Sequence, residues 1–317
     1  MNKAKFEKII TDEFARYEEG LNGFKQKYII HFGIIGGLLF LFVLCLILAN
    51  NGVAETVTGI TSIVSFFAFW IVLVRLAKLR EKKKYFIKDS ENHYYDAVYA
   101  GMIADEIGAV HDAEYTHKRK RDIEKHLGEI INRKYEKYSG NYNGKPFTFE
   151  FAKGEIITQT FEKDGHVERY KTEDVFSGAN LTIANERKAD GIIKLFKGIP
   201  ESYPDQLNYI KMDDKAFPFS VYCEDDLIAY KFLTPGVMAN LTEFSGFYTV
   251  DEITIDNGSV GISIVNEIIN MDIKIKFTRN IDSLKEKYNF DYMYSLAHPE
   301  AEKVISLIQS TLPVVRG

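Results

Sequence analysis

Two long apolar runs separated by six residues constrain this chain more than any other feature. The first, "YIIHFGIIGGLLFLFVLCLILA" (Tyr28 to Ala49), holds no Asp, Glu, Lys or Arg. As a helix its 22 residues reach roughly 33 Å, enough for a hydrocarbon core of about 30 Å. The second, "TVTGITSIVSFFAFWIVLVRL" (Thr56 to Leu76), carries its one charge, Arg75, at its end, where a long side chain can snorkel to the interface. A buried pair of core helices would answer to the same length. Two such runs in succession are rare in soluble folds, so the spacing predicts a transmembrane hairpin with the turn "NNGVAE" (Asn50 to Glu55) at its tip.

Charge gives the hairpin a direction. Lys25 and Lys27 precede the first run, and Arg75, Lys78, Arg80, Lys82, Lys83 and Lys84 follow the second, while the tip has neither Lys nor Arg. Cations stay on the cytoplasmic side of a membrane. The tip is therefore expected outside, and both flanks and both termini in the cytoplasm at the inner face of the cell membrane. The basic block is a topological lock, and a grip on anionic headgroups is a second role open to it. A signal peptide fits poorly: 27 residues with five acids precede the run, and no convincing small-x-small site follows. A lipoprotein anchor at Cys45 is disfavoured by Leu44 beside it. Cys45 and Cys223 fall in different compartments, which leaves no internal disulfide and suits a reducing cytosol.

Gly33 and Gly37 form a G-x-x-x-G with Gly36 beside them. Small residues allow close helix approach in lipid. They are expected to pack against Thr58, Ser62 and Ser65 of the second run, with a homo-oligomer through the hairpin as the alternative. Ahead of the membrane, Phe6, Ile10, Phe14, Tyr17, Leu21 and Phe24 recur at helical steps. After it, "YYDAVYAGMIADEIGAV" and "RDIEKHLGEIINRKYEKY" also read as helical. This divides the chain into an amphipathic helix (1–27), the hairpin (28–76), a helical stalk (77–137) and a cytosolic domain (138–317). The first helix either packs on the stalk or lies on the bilayer.

From Ser139 the character changes. β-favouring segments flank "KDG" and "DNGS", both hairpin signals. Further strand candidates are "ANLTIAN", "LNYIKM", "FSVYC", "YTVDEITID", "VGISIVN" and "DIKIKF". "TPGVMANLTEF" reads as a helix with Thr234 as cap, Pro235 at its first position and Val237, Met238 and Leu241 on one face. "PEAEKVISLIQSTL" reads as a terminal helix. The fold class is α+β: a transmembrane hairpin and helical stalk ahead of an antiparallel-sheet domain with a few helices.

"VFSG" (Val175 to Gly178) and "FSVYCEDDLIAYKFLTPGVMANL" (Phe219 to Leu241) resemble a bacterial family known as domain of unknown function thirty-one thirty-seven. Its F-x-G and Y-x-x-D…A…L-T-P…M…L patterns match at Phe176, Gly178, Tyr222, Asp225, Ala229, Leu233, Thr234, Pro235, Met238 and Leu241. Ile228 and Tyr230 stand where the family often has an acid and a base. The resemblance spans roughly Tyr138 to Phe277. It implies a paired membrane span before a cytosolic domain and an association with LemA-like membrane proteins, and it implies no known activity.

The densest acidic cluster, "CEDD" (Cys223 to Asp226), could hold a divalent cation, yet it lies where a strand meets a turn, an ordinary place for solvated acids. Cys223 has no basic neighbour in sequence to activate it. His111, Asp112 and His117 lack the spacing of a zinc site, and no phosphate-binding loop or nucleophile elbow occurs. No catalytic, metal or cofactor-binding residue is assigned. "HKRKR" (His117 to Arg121) reads as a solvated helix face or a membrane contact. Residues 85–317 carry 28 Lys and Arg against 38 Asp and Glu, a balance of about -10 that repels nucleic acid. Three readings stand: a membrane-anchored module that binds a partner protein, a membrane-bound enzyme with its site near Tyr222 to Asp226, and a lipid-binding domain. Replacing Lys78, Arg80, Lys82, Lys83 and Lys84 by Gln should give mixed insertion, read by reporter fusions at the C-terminus and in the tip. A uniform population would remove the charge block as the determinant of orientation.

Overall fold

A computed structural model describes residues 2–51, 55–112, 130–156, 159–163, 166–170, 175–185, 189–198, 206–212, 216–265, 273 and 275–316. The patch "HKRKR" and the tip of the "KDG" hairpin lie outside them. The chain forms two compact units, one of Asn2–Val98 with Lys274–Met293, the other of Tyr99–Ile273 with Tyr294–Gly317.

The first unit is built on two long helices, α1 (Lys3–Asn50) and α2 (Glu55–Tyr94). Each carries an apolar stretch long enough to cross a membrane. Their seam follows a heptad. Thr58, Ser65, Val72 and Leu79 recur every seven residues on α2 and are buried. On α1, buried Phe14 and Tyr17 lead into half-buried Leu21, Phe24, Tyr28, His31, Ile35, Leu38 and Phe42, and then buried Cys45. Three-four spacing of this kind keeps one stripe facing the partner helix. It also corrects the expectation for the glycines. Gly33, Gly36 and Gly37 fall out of phase with the stripe, and a Cβ at any of them would meet nothing within 4 Å. Close approach is instead used at Gly20, where a Cβ would collide with the ring of Phe86.

The expected packing of the N-terminal helix on the residues after the second apolar stretch forms through an aromatic cluster. Phe14 and Tyr94 stand 5.2 Å apart between ring centroids, and Tyr17 and Phe86 5.8 Å. Into this seat comes Phe277, 4.6 Å from Tyr17, 5.5 Å from Tyr94 and 5.8 Å from Phe14. Its amide donates to Glu91 Oε1 at 2.7 Å, and the Tyr17 hydroxyl donates to the Thr278 carbonyl at 3.1 Å. Burial, with Glu91 nearby, pushes the Tyr17 phenol up to about 12, so it remains a donor. The described residues of "DIKIKF", 273 and 275–277, are thus not strand. Its alternating Ile275 and Phe277 are buried in the helical unit rather than in the sheet. The helix α6 (Ile281–Lys287) follows, capped by Asn280 Oδ1 on the Ser283 amide at 3.2 Å.

Beyond Tyr94 the helical path runs through a π-helical turn (Tyr95–Ala100) and α3 (Gly101–Glu106). The second unit then holds a nine-stranded antiparallel sheet in the order β1-β2-β3-β6-β11-β10-β7-β9-β8. Its strands are β1 (Ala109–His111), β2 (Ile130–Tyr142), β3 (Lys145–Ile156), β6 (Val175–Ala184), β7 (Ile193–Phe196), β8 (Asn208–Ile210), β9 (Ser220–Cys223), β10 (Val250–Ile255) and β11 (Ser259–Ile264). A separate hairpin pairs β4 (Gln159–Lys163) with β5 (His166–Tyr170), the two arms of the "KDG" signal.

Strand β2 corrects the reading of "RDIEKHLGEIINRKYEKY", whose residues from Ile130 onward are not helix but strand. The cause is long-range. Asn143 and Gly144 both take positive φ, 51° and 82°, as a tight two-residue hairpin turn of the primed kind requires. The turn folds this segment onto "PFTFEF", setting Tyr138 opposite Phe149 and Glu136 opposite Phe151. The inward alternation of Phe147, Phe149 and Phe151 decides the pairing over local helix propensity.

Leu181, Ile183, Ile193, Leu195, Ile253, Ile255, Val260 and Ile262 complete the buried face of the sheet. The other face carries polar pairs such as Lys194–Glu252 at 2.8 Å and Ser263–Asn180 at 2.7 Å. Helix α5 (Pro235–Phe247) buries Val237, Leu241 and Phe244, and the terminal helix α7 (Phe290–Arg316) buries Ala297, Ala301, Val304, Leu307 and Ile308. Asn240 Nδ2 donates to the Pro313 carbonyl at 3.0 Å, so the two helices adjoin. Leu241 is fully buried. Leu241→Ala should cost about 2–5 kcal/mol, read by denaturant unfolding of the full chain in detergent. An unchanged midpoint would take this helix face out of the core.

Candidate functional site

The sheet edge formed by β7, β9 and β8, with the two helices that follow β9, gathers most of the residues that the sequence singles out. Tyr222 lies on β9 between Lys194 of β7 and Tyr209 of β8. Its ring is buried and meets those of Phe196 and Tyr209 edge-on, each at 5.7 Å. Cys223 is fully buried, and burial pushes its thiol up, away from the thiolate a nucleophile needs.

Directly after the strand, the acids become helix caps. Asp225 takes an extended backbone, and its Oδ1 accepts from the Leu227 amide at 2.9 Å, starting α4 (Asp226–Phe232). Asp226 sits in the first turn, where a negative charge meets the positive end of the peptide dipoles. Glu224 is exposed and its carbonyl accepts from Asn208 Nδ2 at 3.3 Å. Thr234 starts the next helix in the same way. Its hydroxyl accepts from the Val237 amide at 3.4 Å, and Pro235 takes the first position. Lys231 pairs with Asp190 at 3.0 Å with both side chains exposed, worth at most about 1 kcal/mol. Tyr230 donates to the Lys211 carbonyl at 2.9 Å.

Phe176 and Gly178 do not join this corner. They lie on β6, opposite Gly154 and Ala152 of β3. Four strand steps separate β6 from β9, roughly 19 Å at about 4.8 Å per step. The motif residues therefore act at two places in the sheet. At the β9 corner their chemistry is that of a chain reversal: strand, cap, helix, cap, helix.

Sequence reasoning missed two polar clusters, each assembled from residues far apart in the chain. In the sheet unit, His298 Nδ1 lies 2.7 Å from Glu106 Oε1, and Nε2 lies 3.4 Å from Glu302. In the helical unit, His93 stands between Glu13 Oε2 at 3.0 Å and Arg16 Nη1 at 2.9 Å. Only the i, i+4 relation of His298 and Glu302 and the i, i+3 relation of Glu13 and Arg16 were readable locally. Among the described residues no group of three or more His, Cys, Asp or Glu has a metal-holding arrangement.

The basic block lies along α2, at the end of the second apolar stretch. Arg75, Lys78, Arg80, Lys82, Lys83 and Lys84 have no ion-pair partner among the described residues. The Lys83 ammonium stands 5.8 Å from the centroid of Tyr28, and Lys27 stands 5.8 Å from that of Phe24.

No family model matches the chain, and no curated protein matches it. Among solved structures, the crystal structure of the mycobacterial trehalose monomycolate transport factor A, TtfA, aligns at 9% identity with a TM-score of 0.30, covering 66% of this chain and 91% of that one. A likeness at that level carries nothing over to this chain.

The caps make a definite expectation for the acids. Asp225→Ala should cost about 1 kcal/mol through the lost cap, and Glu224→Gln less than about 0.5 kcal/mol, as exposed changes do. Equilibrium unfolding of the two variants reads the difference. Equal losses would place Asp225 outside the capping role.

Proposed function

We propose that this chain is a membrane-anchored module that holds an α+β domain at the inner face of the cell membrane, where the domain binds a partner protein. The observation that carries this reading is the exposure of the two apolar stretches. Only 6% of the most apolar part of the first and 17% of that of the second is buried. Phe40 is 71% exposed and Phe67 63%. A soluble monomer rarely shows a contiguous apolar patch of more than a few hundred Å², whereas lipid accommodates one along a whole helix. The unpaired cations beyond the second stretch support an orientation with both termini in the cytoplasm.

The use of Asp225 and Thr234 as caps and the burial of Cys223 favour a binding module over an enzyme at this corner. The resemblance to domain of unknown function thirty-one thirty-seven supports a LemA-like membrane protein as the partner. Extraction of membranes with alkaline carbonate should leave the chain in the pellet, and its release would overturn the anchoring. Affinity purification of the full chain from native membranes should bring down a stoichiometric partner. Recovery of the chain alone would count against the partner-binding reading.

A further inference from the structure

The late segment that seats Phe277 also delivers a cation, Arg279, to the membrane-proximal part of the helical unit. Its position is set from both sides. The Phe277 ring is held among Phe14, Tyr17 and Tyr94, and the Thr278 carbonyl accepts from the Tyr17 hydroxyl at 3.1 Å. Tyr17 in turn stacks on Phe86 at 5.8 Å, nearly parallel at 6°. Lys83 lies three residues before Phe86 and shares its helix face. The ring of Phe24 packs on Phe86 at 5.5 Å and carries Lys27 above it. Lys83 and Lys27 thus border one aromatic floor made of Tyr17, Phe24, Tyr28 and Phe86, and Arg279 follows directly on the Thr278 carbonyl held at the Tyr17 end of that floor.

The level of this cluster matters. Tyr28 opens the first apolar stretch, so an ammonium 5.8 Å from its ring stands where hydrocarbon gives way to headgroups. Lys83 is half-buried and has no carboxylate partner among the described residues, and Arg279 has none either. Burial pushes the Lys83 amine down, and the neighbouring Arg279 pushes it further. Two like charges close enough to act on each other, neither paired with a carboxylate among the described residues and one of them half-buried, are an unfavourable arrangement unless a negative group joins them. The guanidinium offers a planar fork of donors and the ammonium a point charge, a combination suited to a phosphate.

We propose that Lys83 and Arg279, with Lys27 at the rim, form a binding site for the phosphate of an anionic phospholipid headgroup. This rests on the membrane placement proposed above. The headgroup would bridge α2 to the Lys274–Met293 segment, so lipid composition would bear on how firmly that segment is held.

The test uses the full chain in nanodiscs of phosphatidylcholine mixed with phosphatidylglycerol, followed by native mass spectrometry of the lipids retained on the protein. The natural chain should keep phosphatidylglycerol preferentially. Lys83→Gln with Arg279→Gln should lower that preference about tenfold, from the loss of two contacts near the surface. Arg80→Gln with Lys82→Gln, which removes equal charge from other positions of the block, should leave most of it. Equal loss in both double variants would mean diffuse attraction and overturn the site. Excess inorganic phosphate should leave the lipid in place, and displacement by phosphate alone would reassign the site to free phosphate and overturn the lipid assignment. Recovery of the chain outside the discs would overturn the membrane placement and the site with it. A chain held in the discs without lipid preference would overturn the site alone.

Discussion

The helical unit depends on the seat of Phe277. Burying a phenylalanine ring stabilises by roughly 1.5–3 kcal/mol, and aromatic pairs at favourable angles add about 0.5–1.5 kcal/mol. The hydrogen bonds around the ring give the seat its specificity. The Phe277 amide is taken up by Glu91, the Lys276 amide by the Tyr288 hydroxyl at 2.9 Å, and the Tyr94 hydroxyl by the Tyr288 carbonyl at 2.6 Å. Without this segment, Phe14, Tyr17 and Tyr94 would face solvent at the point where α1 and α2 leave the apolar region. The heptad seam alone would then hold the pair.

Within the sheet unit the corner after β9 shows how motif and chemistry part company. A run of acids beside a cysteine invites a catalytic reading. Burial and capping instead account for every member but Glu224: the thiol is sealed, Asp225 and Asp226 serve the start of a helix, and Tyr222 fills space between two other rings. The charge without a structural explanation lies elsewhere, in the basic block of α2, whose cations are left without carboxylates among the described residues. Negative groups with local duties and positive groups without them are a reason to look toward an anionic surface rather than a buried site.

Several elements were legible because their cause is local. The apolar stretches follow from side-chain composition, and the helix from Pro235 follows from its cap and its first residue. The "DNGS" hairpin follows from Asp256, whose Oδ1 accepts from the amides of Gly258 at 3.0 Å and Ser259 at 2.7 Å. The errors share the opposite cause. Ile130 to Tyr138 carries Glu and Lys at a density that favours helix, and only the partner strand around Phe149 makes it β. Ile275 and Phe277 alternate as a strand does, but the rings of α1 and α2 that seat Phe277 lie more than 180 positions earlier. The short strand Ile193–Phe196 went unread because four residues give too little pattern. For the motif residues, the sequence identified Thr234 as a helix cap but neither Asp225 as one nor the distance between Phe176 and Tyr222, which only strand order sets.

The long separation between Phe277 and its seat also orders events during synthesis. The helix pair through Tyr94 is complete while roughly 180 residues remain before Phe277 is made. At about 5–20 residues per second, the ring that closes the cluster arrives on the order of ten to forty seconds later. For that interval the nascent protein presents an open aromatic slot at the end of the paired helices. Ribosome pausing would act on it then, in a state the finished molecule no longer displays.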